Sequence, residues 1–292
     1  MEVLLIILVR GLGLGAVFAL VAMSFNVVHS SSGILNFAQG SMFVLGGLFA
    51  FLVLPHDPTI LGWIGFLPAA AIALAVLLAF QGWVTLLPLR SSVEQHSWLI
   101  TTLAASVIIG AVILLTLGTV QSTVRSPFPS VGVLGTRTPA PYVMTMALAV
   151  LWYLALRWFH SRTLAGLAIS AIAQDLDAAR AAGIRVRRLQ IWAFAISGLI
   201  VGSAGYVAAP VIAIANDSGI AYVLNGFVAA VVGGLGSNLG ALVGGGLVGV
   251  ASMYAAYEYG GEFQNAVSLA LLIIVLMLRP QGLFGRPAAR RV

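Results

Sequence analysis

A chain of 292 residues that is 61% hydrophobic and only 8% charged cannot cover a water-facing surface, since soluble domains carry about 25% charged residues. Cysteine is absent, which excludes disulfides, iron–sulfur clusters and a thiol nucleophile. The net charge of +6 comes from arginine alone, and these arginines gather in a few loops, so the charge reports membrane orientation rather than a nucleic-acid partner.

Continuous apolar runs of roughly 20 residues, without the short alternation of a β-barrel, predict an all-α polytopic membrane protein. About eight spans are expected, near 4–28, 34–54, 61–80, 97–118, 141–160, 189–209, 221–257 and 263–278. The first is too long for a signal-peptide core and is read as retained. The region 221–257 is longer than one pass requires, and "VVGGLGSNLGALVGG" interrupts it between Gly233 and Asn238. A Gly-broken pair of short passes or a re-entrant hairpin is expected there. Placing 81–96, 161–188 and 279–292 on the cytoplasmic side, with the loop-edge Arg157, puts eleven arginines inside and Arg10, Arg125 and Arg137 outside. If the broken region passes twice, the N-terminus lies outside; if once, it lies inside.

The largest cytoplasmic loop holds "GLAISAIAQDLDAARAAGIRVRRLQ" (residues 166–190). Ile169, Ile172, Leu176 and Ala179 recur at helical steps, with Ser170, Gln174 and Asp177 on another face. Asp177 and Arg180 are spaced to pair, and Gly183 suits a helix C-terminus with Ile184 packing back. The spacing predicts one short amphipathic helix with an exposed apolar stripe and a charged rim. Such a helix either lies on the membrane surface or docks a cytoplasmic partner; Asp175 and Asp177 weaken adhesion to anionic lipid and favour the partner.

"SSSGILNFAQG" places Asn36, Gln39 and Gly40 at the mouth of the second span. Polar groups at that depth either bond another helix or line a wet path, and broken helices in transporters flank such paths. Thr101 and Ser106 in the fourth span are further path candidates, although hydroxyls in helices commonly bond back to carbonyls. "GLGLG" (residues 11–15) lies inside a span and is no dinucleotide fingerprint, and no G-x-x-x-x-G-K-[ST] motif is present for ATP hydrolysis. His29, His56, His96 and His160 show no ligand spacing, so neither a metal site nor a catalytic residue is expected.

Four stretches carry a resemblance to the permease subunits of branched-chain amino-acid ABC importers, the hydrophobic amino-acid uptake family. They are "ILNFAQGSMFVLGG" (34–47), "AIAQDLDAARAAGI" (171–184), "GFVAAVVGGLGSNLGALVGGGLVG" (226–249) and "LRPQGLFGR" (278–286). Ser41, Asn225 and Arg10 depart from the family's usual acidic, basic and uncharged residues at those places.

The resemblance implies a single transmembrane permease domain over 1–292, of the shorter type, with a cytoplasmic coupling loop at 161–188. It implies no cofactor in this chain, ATP being used by two cytoplasmic ATPase subunits. Further implied partners are a second homologous permease subunit, a periplasmic or extracellular substrate-binding protein, and the lipid bilayer of a bacterial inner membrane. Implied substrates are branched-chain amino acids, urea, short amides or aromatic acids. Ile172, Gln174, Asp175, Asp177, Arg180, Gly183 and Ile184 are the expected ATPase-coupling residues. The translocation path is expected to use Asn36, Gln39, Gly40, Ser41, Thr101, Ser106, Gly233, Gly234, Gly236 and Ser237. A stand-alone secondary transporter would need an acidic residue at mid-membrane, whereas Asp57, Asp217, Glu258 and Glu262 all fall near outer span ends. A scaffold without transport would not need broken helices.

Overall fold

The computed structural model describes residues 2–87, 97–133 and 135–285. Arg90, His96, Arg286, Arg290 and Arg291, which enter the charge count and the histidine survey, lie outside the described residues. Eleven α-helices and one β-hairpin follow in order among them. They are α1 (Glu2–Ser32), α2 (Gln39–Val53), α3 (Ile60–Leu86), α4 (Ser97–Leu117), β1 (Val131–Val133), β2 (Thr136–Thr138) and α5 (Ala140–Arg162). Then come α6 (Leu164–Gln174), α7 (Leu176–Ala181), α8 (Val186–Ala208), α9 (Ser218–Gly233), α10 (Asn238–Tyr259) and α11 (Phe263–Leu278). Six of these, α1, α3, α4, α5, α8 and α10, are long and apolar enough to cross a membrane; α2, α6, α9 and α11 are shorter apolar helices.

Two boundaries differ from the sequence expectation. Residues 33–38 are not helical: Gly33 takes φ +69°, and the Asn36 side chain accepts from the Ala38 amide at 3.1 Å, so α2 starts only at Gln39. The third span does not end at residue 80 but continues to Leu86, and Gln81, expected in a cytoplasmic loop, is buried within it. The amide of Gln81 tolerates that depth because Asn36 satisfies it.

The expected interruption of 221–257 is present. α9 ends at Gly233, Gly234 and Gly236 adopt φ of +103° and +84°, and Ser237 caps α10 by accepting from the Gly240 amide at 3.0 Å. Only glycine adopts such positive φ without strain.

Helix α1 is the hub. Its most extensive packing is against α10, where Gly11 and Gly15 face Gly245 and Gly249. A Cβ on Gly249 would strike the backbone of Gly15, and one on Gly15 would strike the Gly245 carbonyl at 2.5 Å. Small residues that let backbones approach are the main adhesive of helices in lipid, where no hydrophobic force draws them together. This explains "GLGLG" as a packing seam. The second most extensive contact joins α3 to α8, where Gly198 fits against the backbone of Leu74 and Ala75.

Exposed aromatic rings mark two levels. Trp83, Trp158 and Trp192 are 45%, 63% and 65% exposed at the ends of α3, α5 and α8 near the loop 163–185. Tyr254, Tyr257, Tyr259 and Phe263 are exposed at the junction of α10 and α11. Amphipathic rings settle at the headgroup level of each membrane face.

Candidate functional site

The segment expected to couple to a partner forms two helices rather than one. α6 is capped by Thr163, whose hydroxyl accepts from the Gly166 amide at 3.0 Å. The chain breaks at Asp175, whose carboxylate accepts from the amides of Asp177 and Ala178, both at 3.0 Å, and so starts α7. An aspartate N-cap offers the first turn's amides an acceptor that a continuous helix would have no use for. α7 closes at Gly183, at φ +80°, with the Ile184 amide donating to the Ala179 carbonyl at 3.1 Å.

The apolar stripe is not exposed, contrary to the expectation from periodicity. Ile172, Ala179 and Val186 form a small core with Leu176, Ile184 and Leu189 around them, and Ile169 is also buried. The stripe covers the end of the bundle, where α6 packs on α1, α5 and α8. Ile172 and Ile184 are therefore internal supports. What remains outward is Gln174, Asp175, Asp177, Arg180 and Gly183. Asp177 and Arg180 pair at 3.4 Å while staying 90% and 60% exposed, a contact worth a few tenths of a kcal/mol.

The expected path residues fall into two groups, both tied to α1. In the first, Gln39 donates to the Ser24 carbonyl at 3.1 Å and to the Ser197 hydroxyl at 2.9 Å, and accepts from the Ser24 hydroxyl at 3.1 Å. This one side chain joins α1, α2 and α8. Asn36 and Gln81 exchange two hydrogen bonds, at 3.2 and 3.0 Å. Gly40 gives α9 room for its Gly219 carbonyl, and Ser41 meets the Ser106 hydroxyl at 2.8 Å, linking α2 to α4. Thr101 bonds back to the Trp98 carbonyl at 3.0 Å.

In the second group, Asn26 of α1 holds the break between α9 and α10. It accepts from the Gly236 amide at 2.9 Å and donates to the Ser237 carbonyl at 3.1 Å. Gly233 packs on Gly240, and Gly234 on Gly285 of the C-terminal segment. There, the amides of Leu283 and Phe284 donate to the carbonyls of Val232 and Gly233, both at 2.9 Å. The stretch "LRPQGLFG" thus closes the last carbonyls of α9, groups that a helix end leaves without partners.

Asn36 and Gln39 are each fully buried and hydrogen-bonded. Asn36→Ala should leave the Gln81 amide unpaired in an apolar surround and cost about 1–3 kcal/mol. Asn36→Ala/Gln81→Leu should recover most of that loss, a coupling that thermal unfolding of the four purified forms measures.

Sequence reasoning passed over a polar depression of about 600 Å³ near the outer ends of α1, α5, α9, α10 and α11. Asn225 and Asn265 meet there at 2.9 Å, Tyr222 accepts from the Ala213 amide at 3.2 Å, and Asp217 and Gln264 complete a polar rim over Leu14, Phe18 and Met253. Asn225 and Asn265 are amides on two largely apolar helices, a visible signal, but their meeting is not. Arg10, half-buried one turn from Leu14, lies within electrostatic reach of Tyr142 on the depression's wall.

Among the described residues no group of three histidines or acids could hold a metal. Glycine-tight apolar helices, a clamped hairpin break and a capped helical loop at one end define a polytopic helical membrane protein. Residues 7–276 match the family described as branched-chain amino acid transport system / permease component, and the chain belongs to that family. It is 30% identical over 301 residues to the high-affinity branched-chain amino acid transport system permease protein LivH of Escherichia coli K12, covering 97% of this chain and 96% of that one. It is also 30% identical over 304 residues to the corresponding permease protein BraD of Pseudomonas aeruginosa, covering 98% and 97%. Among solved structures, PsaBC from Streptococcus pneumoniae in complex with Fab shares the fold with a TM-score of 0.50 at 14% identity, over 94% of this chain and 92% of that chain.

Proposed function

We propose that this chain forms the translocation path of an ABC importer for branched-chain amino acids or related small solutes, as one transmembrane domain over 1–292 in the bacterial inner membrane. It uses no cofactor of its own; two cytoplasmic ATPase subunits dock on the loop 161–188, and a homologous permease subunit completes the path. The observation that carries this reading is the matched loop itself, rigidly capped at both ends and presenting Gln174, Asp177 and Arg180 outward from the end of the bundle. Shorter helices α2, α9 and α11 cross as well. The segment 34–38, buried or half-buried throughout, makes up the length that α2, at 15 residues, lacks for a span of about 20.

The end of α1 supports the N-terminus lying outside, because Gln190 at the start of α8 donates to the Ser31 carbonyl at 3.2 Å. A 31-residue helix is about 46 Å long, so residue 2 sits on the face opposite the coupling loop. An external binding protein then meets the loop between α4 and α5. That loop is pinned by two backbone hydrogen bonds between Ser122 and Ile214, both at 3.0 Å, and by the Arg125–Asp57 pair at 3.0 Å. The depression at Asn225 and Asn265 lies close by and offers amides, a carboxylate and apolar walls to an arriving amino acid. Such a wide, polar rim suits passage, and selectivity resides in the binding protein.

Native mass spectrometry of the tagged chain, co-expressed with its neighbouring transport genes, checks the assembly. Two ATPases and a second permease subunit per tagged chain are expected; a chain that purifies alone under all mild detergents would count against the reading.

A further inference from the structure

A groove of about 510 Å³ opens between the coupling loop and the span ends, lined by Arg180, Arg185, Arg187 and Arg188 and reaching the buried side chains of Ile34 and Leu86. Arg180 has Asp177, but Arg185, Arg187 and Arg188 make no ion pair among the described residues. Their position is electrostatically adverse. Arg185 is the N-cap of α8 and Arg187 and Arg188 stand in its first turn, with no acidic residue there. The positive end of a helix dipole repels cations and attracts anions. Three guanidiniums gathered there raise the local potential further, and an anion seated among them would relieve it.

The groove's depth indicates which anion. Trp192 and Trp83 are exposed at this end of the bundle and set the headgroup level. Arg188 is four residues outward from Trp192, about 6 Å along the helix, and Leu86 is three residues outward from Trp83. The guanidiniums thus stand at the level of lipid phosphates, beside the last turn of a span. Basic pockets at helix ends on the cytoplasmic face suit anionic headgroups.

We propose that this groove binds the phosphate headgroup of an anionic phospholipid, held by Arg185, Arg187 and Arg188 with its glycerol end toward the membrane, at the last turn of α3. The lipid sits directly behind α7 and braces the coupling loop against the membrane. An acidic surface of a cytoplasmic protein is the competing occupant. It would not need the arginines to stand at the headgroup level that Trp83 and Trp192 set.

The test uses the full chain in detergent and in nanodiscs, with phosphatidylglycerol and phosphatidylcholine as probes. Native mass spectrometry should show wild type retaining phosphatidylglycerol about tenfold over phosphatidylcholine. Arg187→Gln/Arg188→Gln should lose that preference while its helical content and its thermal unfolding in phosphatidylcholine nanodiscs stay unchanged, and Arg187→Lys/Arg188→Lys should keep part of it. Equal retention of the two lipids by wild type would overturn the proposal. So would a preference that persists in the glutamine variant. A glutamine variant that keeps its lipid but, when co-expressed with the ATPase subunits, no longer co-purifies with them would equally overturn it and assign the groove to protein docking.

Discussion

Gly249→Leu should abolish recovery of folded protein. The α1–α10 seam is the most extensive helix contact in the molecule, and Gly249 has the backbone of Gly15 and the Gly11 carbonyl where its Cβ would be. No flexible side chain can yield there, since the obstacles are backbone atoms. Overpacking of a well-filled site costs about 1–3 kcal/mol even where side chains can move, and separating two backbones removes the contacts of the whole seam. Gly246→Leu is the internal control. It is three residues away on the same helix, yet its Cβ would meet only the Leu12 side chain, at an ordinary 3.5 Å. Size-exclusion chromatography of the two variants, with comparable membrane expression, should show a monodisperse peak for Gly246→Leu and aggregate for Gly249→Leu.

Gln174→Arg/Asp177→Arg should leave folding intact and remove coupling. Both side chains point outward from α6 and α7, and neither belongs to the small core of Ile172, Ala179 and Val186. Arginines at these two positions remove the acid from the proposed docking face and add bulk and positive charge to it, and central contacts of an interface commonly cost 2 kcal/mol or more, about thirtyfold in affinity. ATPase subunits should fail to co-purify, and ATP-driven uptake should fall at least about tenfold. Ile172→Asp is a poorer probe. It buries a charge inside the loop and would damage the loop's own packing, so a loss of transport could not be assigned to docking.

The class of fold was legible because membrane physics constrains it so tightly: apolar runs of span length have few alternatives in lipid. The break of 221–257 was legible for a local reason, two glycines that adopt positive φ within three residues, at 234 and 236. The cap at Gly183 was legible on the same grounds. What stayed hidden is non-local. Periodicity shows that Ile169, Ile172 and Ala179 share a face, but the cover over that face comes from α1, α5 and α8, distant segments that periodicity does not register. The periodicity also runs unbroken through Asp175, so one helix was expected where a side-chain cap starts a second. Gln81 looked like a loop residue because its partner Asn36 lies 45 positions earlier. The partnership of Asn26 with Gly236 spans 210 positions and leaves no trace in either segment alone. Asn225 and Asn265 were readable singly as polar residues on apolar helices, but not as a pair.

The central claim is that this chain conducts its substrate only as part of an ATP-driven assembly. It is tested most directly by uptake of labelled leucine into proteoliposomes containing this chain, its homologous permease subunit and its ATPases, with the binding protein outside and ATP inside. Uptake that requires both ATP and the binding protein, and that Gln174→Arg/Asp177→Arg eliminates, is the predicted result. Uptake by this chain alone, driven by a proton or sodium gradient without ATP, would contradict the account.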